Sequence, residues 1–176
     1  MSGHNKWSQI KTQKAAGDAK KSKIFGKLAQ LITQEAKKSG GNLNSPGLKT
    51  AVERARAANM PNDVIDRAIK KATSDNSAAL ETIIYESYGP GGCAMIIEAL
   101  TSNKNKAAQE IKHILSLHGL ELASPGSASW AFKKDHATWT AITTVPLEDA
   151  DIELLTKLVE DLEADDEVQE VFTNAE

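Results

Sequence analysis

Lys6, Lys11, Lys14, Lys20, Lys21, Lys23 and Lys27 crowd the front of the chain, with Trp7 among them. Lysines suit phosphate partners, because each contact releases a condensed counterion. An indole beside them supplies either a stacking face for a base or an apolar anchor for a core. The stretch has few strong core-formers before Ile24, so it cannot bury enough apolar surface to fold alone. It reads as an arm that takes its order from a partner. Asn103, Lys104 and Lys106 are a second candidate, since they open a predicted helix whose first amides and two lysines suit a phosphate. The plain alternatives are a solvated N-terminus for the first group and an ordinary helix cap for the second.

Other chemistry is thin. His113 and His118 are five apart, not at the four-residue spacing of a helical zinc pair, and neither has a cysteine or acidic partner at ligand spacing. Cys93 has no neighbouring base to make it a nucleophile. Gly89-Pro90-Gly91-Gly92 lacks the spacing and following lysine of a phosphate loop and reads as a turn. The acidic stretch 163–167 lacks the alternating ligands of a calcium loop. The expectation is a binding protein and not an enzyme, with no metal and no cofactor.

The net charge of -3 hides a strong asymmetry. Residues 1–71 carry 15 Lys/Arg against 5 Asp/Glu, and residues 135–176 carry 1 against 13. A basic front with an acidic end points to a nucleic-acid-facing front. A single cysteine excludes an intrachain disulfide and fits a reducing, cytoplasmic setting, with an organelle matrix as runner-up. No apolar run reaches membrane-spanning length, and no signal-peptide core is present at the start.

These residues need elements to position them. Ile24, Phe25, Leu28, Leu31, Ile32 and Ala36 form one helical stripe and predict a helix over about 18–38, stopped by Gly40-Gly41. Lys20, Lys23 and Lys27 fall on its opposite face. Ser45-Pro46 opens a second helix and Pro61 a third, to about 72. Residues 73–81 read as a linker. Thr82–Tyr88 and Ala94–Leu100 are β-rich, 104–118 is a helix, 127–133 and 137–145 are strands, 149–162 is an acidic helix and 168–173 a last strand. The fold class is therefore α+β. A basic arm and three-helix bundle fill 1–76. A ferredoxin-like βαββαβ domain with an extra N-terminal strand fills 77–176.

Several motifs in order resemble the YebC-like proteins, a bacterial family related to the mitochondrial translational activator of cytochrome oxidase subunit I. They are Gly3-His4-x-Lys6-Trp7, Lys14-Ala15-Ala16, Lys23-x-Phe25-x-Lys27, Ala57-Ala58-Asn59-Met60-Pro61, Tyr85-Glu86-x-Tyr88-Gly89-Pro90-Gly91-Gly92, Thr101-x-Asn103-x-Asn105, Gly126-Ser127 with Phe132, and the closing Val168–Asn174. The resemblance implies an N-terminal helical domain followed by two α/β domains, the third inserted into the second. Here the chain runs from Asp135 almost directly to Thr138, so the third domain is expected to be missing near 135–138. Lys106 stands where the family tends to have arginine, which removes a bidentate fork.

The resemblance implies two roles, a DNA-binding transcriptional regulator or a factor that contacts ribosomal RNA of the large subunit and eases stalled translation. No predicted helix has the side chains of a major-groove reader, and a Lys/Trp arm suits folded RNA, so the residues favour the second role over duplex DNA. A protein–protein adaptor that docks a basic partner through the acidic helix 149–163 and the tail is a third reading. A monomer is assumed.

Overall fold

A computed structural model describes residues 6, 7, 9, 10, 18–74, 79–135 and 138–176. The chain divides into two compact units, one of residues 15–80 and one of residues 1–14 with 81–176.

The helical unit has three helices, α1 (Asp18–Lys38), α2 (Pro46–Ala57) and α3 (Asn62–Ser74). Leu28, Ile32 and Ala36 of α1 meet Leu48, Ala51 and Ala55 of α2 and Ile65, Ala68 and Ala72 of α3 in one core. The predicted stripe is therefore the packing face. Ser45 caps α2, its hydroxyl accepting from the Leu48 N–H at 3.4 Å, and Pro46 takes the first turn. Asn59 ends α2 in the left-handed region at φ 62°, which lets the Met60 N–H reach the Ala55 carbonyl at 2.9 Å. That turn puts Met60 into the core and starts α3.

The α/β unit contains β1 (Glu81–Tyr88), β2 (Ala94–Thr101), α4 (Lys104–Leu117), β3 (Leu122–Ala123), β4 (Phe132–Asp135), β5 (Thr138–Ala141), α5 (Asp149–Ala164) and β6 (Val168–Thr173). The main sheet is antiparallel in the order β3-β1-β2-β6, and β4-β5 form a separate hairpin. The α+β class stands, but the strands are placed differently from the expected ferredoxin-like order. The extra N-terminal strand β1 is central, between β3 and β2. The edge expected from 127–133 is supplied by β3, two residues long.

Glu86 explains the change. Once β3 has paired with Glu86 and Ser87, the Glu86 carboxylate accepts the N–H groups of Gly126, Ala128 and Ser129 at 2.7, 2.7 and 2.8 Å. The chain is pulled off the sheet edge into a turn, and β4-β5 then lie over the second sheet face. There Ala128, Ala131 and Phe132 pack on Ala94, Ile96 and Phe172. The first face carries Met95, Ile97 and Ala99 against Ile111 and Leu115 of α4 and Leu155, Leu158 and Leu162 of α5. Strand β2 is covered on both sides, which is why Ala94–Thr101 reads as an almost unbroken apolar run. Glu98, its one charged residue, accepts from the Trp139 indole N–H at 2.9 Å.

Candidate nucleic-acid interface

The helical unit presents cations because its core stripe uses up one side of each helix. On α1, Lys20, Lys21 and Lys23 are exposed and Lys27 is half-buried. On α2, Lys49 and Arg56 are exposed. On α3, Arg67 pairs with Asp63 at 2.9 Å, the expected one-turn spacing. Lys11 and Lys14 lie outside the described residues, as do His4 and His136.

Trp7 and Lys6 belong to the α/β unit. Trp7 is 7% exposed and packs in the cluster of Met95, Ile111 and Leu158. Lys6 is ion-paired with Asp149 in the first turn of α5. Of the two roles an indole could take there, the structure places Trp7 as the apolar anchor. Its ring is inside a core and offers no face to a base. Lys6 remains half-exposed beside its carboxylate.

The second candidate stays exposed, but its groups are taken up by contacts within the chain. The Asn103 carboxamide oxygen caps α4, accepting from the Lys106 N–H at 3.1 Å. Lys104 pairs with Glu81 at 2.9 Å, and Lys106 with Glu167 at 2.8 Å and Glu110 at 3.6 Å. The Glu167 carboxylate raises the Lys106 ammonium above its ordinary value. Burial pushes the Glu167 carboxyl up, but the Lys106 ammonium and the Thr101 hydroxyl together outweigh it and the net shift is downward. The α4 N-terminus thus already faces an internal carboxylate, and a phosphate would compete with Glu167 for Lys106.

A third surface is not evident in the sequence. Trp130 is 57% exposed and Tyr88 38%. The Trp130 indole N–H donates to the Tyr88 hydroxyl at 3.0 Å and to the Ser127 carbonyl at 2.8 Å, and Tyr88 donates to that same carbonyl. The edge of the ring is fixed and its body stays in solvent. Lys133 and Lys134 follow on β4, exposed, with Lys134 5.2 Å from the centre of the half-buried Trp139 ring. Rigid exposed aromatics beside lysines are what an unpaired base and its phosphate need. The strand expected over 127–133 hides this, because a 3₁₀ turn at Ser129–Ala131 breaks the alternation that would have buried Trp130.

The remaining reactive groups are structural. Cys93 is buried, and burial pushes its thiol up to about 11, far from a thiolate. His118 meets Asp161 at 2.7 Å and ties α4 to α5. Among the described residues no group of His, Cys, Asp and Glu is arranged to hold a metal. None of the described helices is long and apolar enough to cross a membrane.

Residues 5–75 match the family model of the TACO1/YebC protein N-terminal domain, and residues 80–137 that of the TACO1/YebC second and third domain. A probable transcriptional regulatory protein of Petrotoga mobilis is 46% identical across 100% of this chain and 71% of its own length. One of the same name from Thermotoga maritima is 52% identical over 76% of this chain and 54% of its own. The chain thus spans between about half and three quarters of the length of these relatives. The crystal structure of a conserved hypothetical protein from Aquifex aeolicus superposes with a TM-score of 0.76 at 27% identity, over 90% of this chain and 91% of that one.

Proposed function

Because this chain belongs to the TACO1/YebC family, we propose that it is a nucleic-acid-binding regulator of gene expression whose target is RNA of the large ribosomal subunit, where it eases stalled translation. The observation that carries this reading is the exposed Trp130–Tyr88 pair, with the exposed Lys133 and Lys134 following it on β4. Aromatic faces held rigid in solvent suit unstacked bases, which folded RNA exposes and duplex DNA does not. The exposed lysines of α1 add sequence-independent phosphate attraction.

Sedimentation of tagged protein through sucrose gradients tests the reading, at low and moderate salt, with and without nuclease. Co-migration with large subunits is expected, and a Lys11→Glu, Lys14→Glu, Lys23→Glu charge reversal should remove it. Protein that stays at the top in every condition overturns the ribosomal target.

The second reading is a DNA-binding transcriptional regulator, favoured by the names its relatives carry. It predicts duplex binding that survives the loss of Trp130. A protein–protein adaptor, the third reading, predicts that the same charge reversal leaves function intact.

A further inference from the structure

We propose that the helical unit holds a pocket for a nucleoside 5′-phosphate between α1 and α3. A groove of about 460 Å³ runs there. That size lies within the range of small-molecule sites. Val64 and Ala68 of α3 give it an apolar wall, while Lys37, Arg67 and Lys71 bring three cations. Val64, Arg67, Ala68 and Lys71 share one face of α3 at three- and four-residue steps, so the wall and the cations come from the same stripe.

Gln34 is what separates this groove from an ordinary seam between helices. Gln34 is one of the residues lining the groove and is 4% exposed, its amide lies shut off from solvent, and neither its amide nitrogen nor its amide oxygen has a hydrogen-bond partner among the described residues. A buried amide left so is costly and rare, and calls for a reason. The arrangement also has a chemical sense. A glutamine amide places one donor beside one acceptor, the pairing that reads the donor–acceptor edge of a nucleobase. Apolar walls accept the flat ring and ammonium and guanidinium groups accept the phosphate. Both amide atoms are shut off from solvent, so the base reaches them by displacing a neighbouring flexible side chain, Gln30 or Lys37, one turn away on α1.

The pocket lies within the helical unit and the Trp130 surface within the α/β unit, and the test keeps the two separate. The full chain is titrated calorimetrically with AMP, GMP, CMP and UMP, and with inorganic phosphate as control. One nucleotide should bind more tightly than phosphate, and Gln34→Leu should weaken it about tenfold or more. Replacing Lys37 and Lys71 together by alanine should weaken it comparably. Gln34→Leu should also raise the melting temperature, since it removes an unpaired buried amide. If that variant fails to fold, Gln34→Glu replaces the donor by an acceptor at equal size and should change which nucleotide is preferred. Four nucleotides that behave like phosphate, or binding indifferent to Gln34, overturn the pocket. A trinucleotide that binds far more tightly than its mononucleotide, still through Gln34, identifies the ligand as part of a strand. Equal affinities identify a free nucleotide.

Discussion

The carboxylate of Glu86 on β1 receives the backbone N–H of Ala128, 2.7 Å away and 42 residues later in the chain. The Gly126 and Ser129 N–H groups complete the set. A carboxylate can accept all three, whereas a glutamine must turn its NH₂ toward at least one N–H. Glu86→Gln is therefore expected to cost roughly 2–4 kcal/mol in chemical denaturation at pH 7. A loss below about 0.5 kcal/mol would mean that the turn holds itself.

The same contact sets a pH dependence. Burial pushes the Glu86 carboxyl up, but the three backbone hydrogen bonds outweigh it and hold it below the ordinary carboxylate value of 4.5. A lowered folded value means that the stabilisation is fully present above 4.5 and is lost as pH falls through the folded value. Denaturation midpoints of the parent and Glu86→Gln should converge as pH drops below 4.5. Curves that stay parallel to pH 3 would contradict the assignment.

Trp7 and Trp130 should separate stability from binding. Trp7 lies in the core with Met95 and Leu158, so Trp7→Ala is expected to cost about 3–5 kcal/mol. Trp130 is exposed, so Trp130→Ala should change stability by less than about 1 kcal/mol. It should weaken binding of single-stranded RNA roughly tenfold. Melting temperatures and fluorescence titration of an unstructured oligonucleotide measure both. Unchanged RNA affinity in Trp130→Ala would remove the stacking surface from the proposal.

What could be read from the chain follows from how local each cause is. The stripe from Ile24 to Ala36, the Ser45-Pro46 start and Val168–Thr173 are written within a few turns of chain, and those elements form where expected. The strand β3 is only two residues and leaves no periodic signal. Glu86 looks like any strand carboxylate until its amide partners arrive from 40 residues downstream. Trp7 in a lysine-rich segment reads as a platform or, more often, as an anchor. Its role is decided by the core formed from β2, α4 and α5. The basic character of the front was legible in the same way. The pairing of Lys104 and Lys106 with Glu81 and Glu167 was not, because it depends on which elements the fold brings alongside α4.

That pairing gives the last prediction. Glu167 competes with any phosphate for Lys106, so Glu167→Gln should free the lysine without removing it. The lysine is exposed, and such pairs are worth little, so folding stability should change little. Polynucleotide affinity at low salt should instead rise roughly two- to fivefold, and the gain should shrink as salt screens it. Lys106→Met in the same background should cancel the gain. If Glu167→Gln leaves affinity untouched while Lys106→Met still lowers stability, then Asn103, Lys104 and Lys106 serve the α4 terminus alone. The lysines of α1 and the Trp130 surface would then carry the nucleic-acid contact.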